Sequence, residues 1–514
     1  MYVQPTTNIR ILHNIPLDNT YDHTIYFIDA ITQHGYFEYY TKYNLNNYTY
    51  QRVERGKARV GINAENLYDC NYMMFQNTAF GNKWFYAFIN NVEYINNECS
   101  EITFELDELQ TWHFDYHPEP CFVEREHSST DNIGDNIIPE PVALGEYKFN
   151  GTHPLIDLSD LSVIIAVVDV HETGGTQGNK YDGLYGGAEL YSFNVSAATS
   201  ASAINNFLSQ YIQKPDAIVA MYMCPTAFIQ SRDASTGRIL QTNSPYRLNV
   251  SDATLSSSWN LDGYVPKNKK LFTYPFNFYM VDNGMGSSIN LPYEFFANLT
   301  PTFSIAAMIT QPVKAVIRPT AYKGANTCLT ENVALTNFPM ASWAFDAYQA
   351  WLAQNSIPML IKALGVGMTA STQIMGGHPD QAQQGVFNFA TEAITKAYTA
   401  SITADFSRGN FDNGGINAAD GKQQFYGSRM TITHQYAAMI DDFFSRFGYA
   451  TNRLKTPNRN ARPHWTYVKT AGCTLKGSVP ADSMKKICRI YDRGITWWKY
   501  GSEVGNYTLD NTPV

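Results

Sequence analysis

The stretch KWFYAFINNVEYINNECSEITFEL, residues 83–106, decides the fold class. Its first part, Lys83 to Tyr94, is aromatic and β-branched, the composition of a strand. In its last part, Glu101 to Leu106, apolar Ile102, Phe104 and Leu106 alternate with Thr103 and Glu105. That is the period of a half-buried strand. Ile95-Asn96-Asn97-Glu98 supplies the hairpin turn between them. Asp107 is then the expected N-cap of a short helical turn, Glu108 to Phe114.

Working outward, the residues before this hairpin read as further short strands: Asn8 to Leu12, Thr24 to Phe27, Tyr36 to Tyr43, Tyr48 to Val53 and Lys57 to Ile62. Asn-rich breaks such as Asn44 to Asn47 separate them. After it, Pro118, Pro120, Pro139 and Pro141 mark a change of character. Leu161 to Val168 is a continuous apolar run of buried-strand length, and Ser202 to Tyr211 is a candidate helix. A second β-rich section covers 266–344, with strands expected at Leu271 to Val281 and Pro312 to Arg318. Near the end, Gln435 to Phe447 and Pro480 to Tyr491 read as helices. Lys485, Lys486 and Arg489 lie toward the C-terminal end of the second, where the dipole favours cations, and Gly494 stops it. Ile495 to Tyr500 reads as a closing strand. No repeat of solenoid length occurs.

Composition narrows the function. At 514 residues the chain has room for about three domains of ~150 residues, or one elaborated fold. Aromatics make up 14% and charged residues only 16%, the reverse of a disordered chain. Tyrosines (35) nearly equal lysines plus arginines (37), a balance that suits sheets and subunit contacts. The net charge of −9 leaves no basic surplus for gripping phosphates. Seven cysteines, at 70, 99, 121, 224, 328, 473 and 488, include no CxxC pair and read as buried small hydrophobes. MYVQPTTNIRILHNIP is not a secretory signal.

Residues 345–422 stand apart. From Ile357 to Thr391, 35 residues carry two charges, Lys362 and Asp380. One reading is a buried helical hairpin turning at Gly376-Gly377-His378-Pro379. The other is a conditional membrane segment: Ile357 to Gly377 is 21 residues, enough to span a bilayer as a helix. Small residues at such spacing are common where helices pack in lipid, and Lys362 could snorkel to the interface. The apolar residues that would carry this role are Ile357, Leu360, Ile361, Leu364, Val366, Met368, Ile374, Met375, Val386, Phe387 and Phe389.

Catalytic and metal signatures do not emerge. Glu124-Arg125-Glu126-His127 offers too few ligands for a metal and reads as a solvated or salt-bridged strand end. His113 and His117 are separated from any common helix by Pro118, and His434 and His464 lie far apart. The glycines of GGTQG (174–178) lack the neighbours of a phosphate loop, and no GxSxG or HExxH occurs. Neither a cofactor nor a catalytic residue is expected.

Five strings rise above this background: MMFQNTAFGNKWFYAFI (73–89), ITFELDELQTWHFDY (102–116), CFVEREH (121–127), FFSRFGYATNRLKTPN (443–458) and RGITWWKYGSEVGNY (493–507). In this order the chain resembles the tail knob, or distal tail tube, proteins of small short-tailed phages of Gram-positive bacteria, with weaker similarity at TYPFNFY (273–279). The resemblance implies a mainly β protein with short helices (α+β) that assembles as a homohexameric, ring-forming tube at the tail tip of the virion. It places an N-terminal tube part at 1–125, an inserted knob region at 126–265, the second β section at 266–344, a hydrophobic plug or membrane loop at 345–422, and the C-terminal tube part at 423–514. It implies partners too: other phage tail proteins, genome DNA passing through the lumen unbound, and the host membrane on ejection. Host cell-wall glycan is a further candidate for the insertion, which departs most from the pattern. An adhesin or a cell-wall hydrolase at the tail tip remains the rival reading.

Overall fold

The computed structural model describes residues 7–48, 56–158, 160–167, 180–181, 184–185, 189–194, 203–204, 206–207, 210, 218–242, 245–310, 313–336, 340–341 and 424–513. The protein is mostly β, as the sequence predicts, and divides into two compact units. The first comprises Met1–Gly145, Gly263–Leu271 and Thr433–Val514; the second, Glu146–Asp262 and Phe272–Ile432.

The first unit holds a six-stranded antiparallel sheet in the order Thr41–Tyr48, Thr7–His13, Cys70–Asn77, Trp84–Asn96, Cys99–Leu106, Lys57–Val60. The predicted hairpin is its centre, with Asn96 paired to Cys99 around the turn. Both faces of the sheet are covered. Tyr72, Met74, Tyr86 and Phe88 point to one side, where they meet Phe37, Ile487, Tyr491 and Trp497. Met73, Ala87, Ile9, Ile11 and Ile102 point to the other, against Val60 and Leu67. Successive strand residues face opposite sides, so Tyr72-Met73-Met74 must be apolar throughout.

A five-stranded sheet in the same unit joins the two ends of the chain. Its order is His23–Ile25, Ile495–Trp498, Trp465–Ala471, Cys121–Glu126, Tyr449–Lys455. His23–Ile25 runs parallel to Ile495–Trp498. The Ala481–Arg493 helix buries Ser483, Ile487, Ile490 and Tyr491, the spacing of one helical face. It ends at Gly494, whose φ of +100° an L side chain rarely adopts. The other long helix, His434–Phe447, matches the expected Gln435 to Phe447.

Two expectations fail here. Tyr36 to Tyr43 is not one strand: Ala30–Tyr39 is a helix and the strand starts at Thr41. Asp29 caps the helix, its carboxylate accepting from Thr32 N at 2.7 Å. Phe37 faces the core while Ile31 and Tyr39 are exposed. Apolar residues on both faces erase the helical period, and the aromatic run looks extended. Asn44 to Asn47 is not a break either, because all four residues belong to Thr41–Tyr48. That strand lies at the sheet edge and is largely solvent-facing, so polar residues fit it. Of the expected strand Tyr48 to Val53, residues 49–53 lie outside the described residues.

Asp107 is the predicted N-cap. Its carboxyl accepts from Gln110 N at 3.1 Å and from the Tyr72 hydroxyl at 2.9 Å. Burial raises its pKa to about 7, although both hydrogen bonds pull the other way. The native carboxyl therefore keeps a proton between pH ~4 and ~7 that the unfolded chain has released. Stability from this site is highest at acid pH and falls as pH rises through that window. Asp107→Asn keeps the cap acceptor and cannot ionise. Denaturant midpoints from pH 5 to 8 should fall more for the parent than for the variant, the difference reaching a few kcal/mol. Parallel curves would refute the assignment.

In the second unit, Leu161–Val167 is buried at every position between Glu189–Asn194 and Ile218–Pro225. A separate sheet orders Tyr147–Asp157, Gln424–Ile432, Asn277–Asp282 and Ser288–Pro292. A third pairs Tyr246–Asn249, Thr302–Met308 and Lys314–Tyr322, with Ala325–Thr327 and Val333–Leu335 both added to the last. Two expected strands shift: Leu271 to Val281 is extended only from Asn277, and Pro312 to Arg318 becomes Lys314–Tyr322. Half of Ser202 to Tyr211 lies outside the described residues; residues 203–204 and 206–207 are helical.

Candidate functional site

The eleven apolar residues from Ile357 to Phe389 singled out in the sequence lie outside the described residues. Among the described residues, no helix is long and apolar enough to cross a membrane. The remaining candidates are the histidines and acids of the first unit and its unpartnered β surfaces.

His127 ends the Cys121–Glu126 strand and is buried. Its Nε2 donates to Ser445 O at 3.1 Å and its Nδ1 accepts from Tyr467 N at 2.8 Å. Burial, reinforced by the Arg462 guanidinium, lowers its pKa to about 3. It stays neutral and organises backbone. The acids beside it are ion-paired: Glu124 with Lys469 at 2.7 Å and Glu126 with Lys455. The salt-bridged half of the sequence reading holds, but the solvated half does not apply to His127. His113 is likewise buried, bonded to Phe27 O at 3.0 Å and depressed to about 3, again mainly by burial. His117 pairs with Glu119, and His464 with Glu503. None of these arrangements joins a mobile proton to a nucleophile. Among the described residues, no group of three or more His, Cys, Asp or Glu is placed to hold a metal.

A polar interior that the sequence did not reveal lies behind His127. The segment 128–145, without helix or strand, is anchored by its acids. Asp131 accepts from Lys269 N at 2.9 Å and from the Tyr449 hydroxyl at 2.7 Å. Glu140 bonds Lys270 Nζ at 2.6 Å, Ala450 N at 2.8 Å and the Arg125 guanidinium. Asp441 accepts from Tyr264 Oη, Lys267 N and both nitrogens of Asn268 at 2.7–3.0 Å. A cavity of about 120 Å³ opens between Asn268, Asp441, Ser445, Arg462 and Asn511. Every carboxylate named here is satisfied, so the cluster is suited to holding segments together rather than to reaction.

Among the described residues, the uncovered surfaces include β surfaces. The hairpin of Trp84–Asn96 and Cys99–Leu106 is core-packed near Tyr86–Phe88, but from Asn90 to Glu98 only Val92 is not exposed. Tyr94 and Ile95 lie on this projecting arm. The edge strands Thr41–Tyr48 and Lys57–Val60 have no outer strand partner among the described residues. Such edges invite pairing with another chain.

Comparison with known proteins fits this picture. Residues 5–117, which contain the six-stranded sheet, match the family described as the N-terminus of the caudoviral major tail protein. Residues 240–512 match the family of the C-terminal domain of tail knob protein gp9 of Bacillus phage phi29. The chain belongs to the tail knob family. It is 24% identical to the tail knob protein gp9 of Bacillus phage B103, and 23% identical to that of Bacillus phage phi29, each over 98% of both chains. Its fold is that of the tail knob protein gp12 of bacteriophage C1, with a TM-score of 0.63 at 15% identity, covering 98% of this chain and 99% of the other. This tail knob protein is a structural component of the phage virion tail.

Proposed function

We propose that six copies of this tail knob protein close into the distal tube of the tail, through which the genome leaves. The observation that carries this reading is the match of residues 5–117 to the N-terminus of a major tail protein, over the sheet that, among the described residues, leaves two strand edges without an outer strand and a long arm exposed. A strand edge and an arm that meet different surfaces of a neighbour make a head-to-tail contact, which closes as a ring where the rotation between copies divides a full turn. The net charge of −9 per copy suits a lumen that does not trap phosphate, so DNA slides. Residues 345–422, with the apolar set from Ile357 to Phe389, serve as plug before ejection and enter the host membrane afterwards. Other tail proteins bind the tube from above, and the host's wall glycan is the candidate ligand of the knob.

Mass measurement of the purified full-length protein tests the assembly. A species near six times 57.9 kDa, alone or exchanging with monomer, is expected, and particle images should show a six-fold ring with a central hole. A stable dimer, with no ring in virions, would refute the tube. Turnover of purified peptidoglycan or teichoic acid by the isolated protein would instead favour an enzyme.

A further inference from the structure

Three of the seven cysteines meet at one place in the first unit. Strand pairing sets Ala471 opposite Phe122 and Leu475 opposite Pro118, so the turn at 472–474 runs beside Glu119–Cys121. Glu119 N donates to Thr474 O at 2.9 Å, which closes that contact. Asp492 brings in the third thiol. Its Oδ1 accepts from Cys473 N at 2.9 Å and from Thr470 Oγ1 at 2.7 Å. Cys488 precedes Asp492 by four residues on the Ala481–Arg493 helix, and so shares its face. Cys473 consequently interacts with the thiols of both Cys488 and Cys121. All three are reduced; Cys121 is buried, while Cys473 and Cys488 are half-buried.

We propose that Cys473 and Cys488 are a modification site, oxidised by a peroxide to a disulfide that fastens the last helix to the turn after Trp465–Ala471. The Cys488 thiolate attacks one peroxide oxygen; the S–O bond forms, the O–O bond breaks, and the departing oxygen leaves as water after taking up a proton. The Cys473 thiolate then attacks that sulfur; the S–S bond forms, the S–O bond breaks, and a second water leaves. The two thiols lose two electrons and two protons, and one hydrogen peroxide becomes two waters. Cys121 is the poorer partner because it is buried, whereas Cys473 and Cys488 are partly open to a peroxide. Burial holds the Cys473 and Cys488 thiols above their usual range, most strongly Cys473. Few thiolates are therefore present at neutral pH, and the bond forms slowly. Such a bond is disfavoured in a reducing cytosol and persists on particles outside the cell. It would act after assembly, when the ends of the chain are already in place.

The test treats freshly purified full-length protein with hydrogen peroxide, blocks free thiols, and maps the peptides by mass spectrometry. The parent and Cys121→Ser should yield a linked Cys473–Cys488 peptide lighter by two hydrogens, removed by dithiothreitol, with a melting temperature that rises only on oxidation. Cys473→Ser and Cys488→Ser should give neither the linked peptide nor the rise. The parent map decides by itself: seven free thiols after peroxide, or a bond from Cys473 to Cys121, overturns the proposal.

Discussion

Replacing Glu140 by alanine is expected to destabilise the first unit by about 3–5 kcal/mol, the usual cost of stranding one half of a buried ion pair. The Glu140 side chain is fully buried, and the Lys270 side chain it neutralises is 2% exposed. The ammonium lies 5.6 Å from the Phe444 ring centroid and 5.4 Å from that of Tyr449. Ring faces offer far less than a carboxylate. Burial already pulls the Lys270 pKa down against the attraction of Glu140. Without that carboxylate the ammonium keeps the Ile138 carbonyl, at 2.8 Å, and the weaker attraction of Asp131, but has no counter-charge in contact. Ala450 N loses its acceptor as well. Arg125 is better placed to survive, because its side chain is partly exposed, donates to Gly448 O at 2.7 Å and stacks over Phe443. The cost should therefore concentrate on Lys270. Adding Lys270→Met to Glu140→Ala should recover part of the loss, because the stranded charge is gone. Urea melts of the parent, single and double variants check this. A single variant within about 1 kcal/mol of the parent would mean that water already reaches the cluster.

Nothing in the sequence pointed to that clamp. Glu140 and Lys270 are 130 residues apart, and Glu140 and Ala450 are 310 apart. Lys269-Lys270 looks like any solvated pair until the chain is folded. What could be read were features whose cause is local. The alternation from Ile102 to Leu106, the cap at Asp107 and the glycine stop at Gly494 each express the conformation of a few neighbouring residues, and each is present. Leu161 to Val168 was recognisable because a strand covered on both faces has no polar position. Local reasoning failed where two signals overlapped. Around Tyr36, Phe37 and Tyr40 the aromatic content of a strand sits on a helix. At Asn44 to Asn47, turn-forming residues sit on an edge strand that needs no apolar face. His127 failed for another reason: Glu124 is ion-paired at the surface, but Glu126 is buried and the histidine's own side chain turns into a polar interior formed by distant segments. The family was legible in five strings near the two ends of the chain, which the five-stranded sheet brings together.

Leu364→Asp combined with Ile374→Asp is expected to abolish dye release from liposomes while the ring still forms. Between Ile357 and Thr391 the chain carries two charges and most of the eleven large apolar residues assigned to the plug lie before Gly377. Burying apolar surface contributes about 25 cal/mol per Å², so these residues are costly to leave in water. In the proposed tube, six copies would shield one another inside the lumen and block early loss of DNA. Pushed out by the genome, they would find in lipid the cheapest remaining refuge, where a helix satisfies its own backbone. An aspartate at the centre of a membrane helix costs about 2.5–3.5 kcal/mol and less toward its ends, so Leu364→Asp, near the centre, carries most of an effect on the order of 10²-fold or more in insertion. Neither substitution falls within 1–145, 263–271 or 433–514, the stretches that make up the first unit. Assembly and leakage therefore separate in this variant. The measurement is dye release by parent and variant under conditions that free the segment, with mass determination of the ring in parallel. Equal leakage from an intact ring would show that the segment does not enter the bilayer, and the buried-hairpin reading of Ile357 to Thr391 would stand in its place.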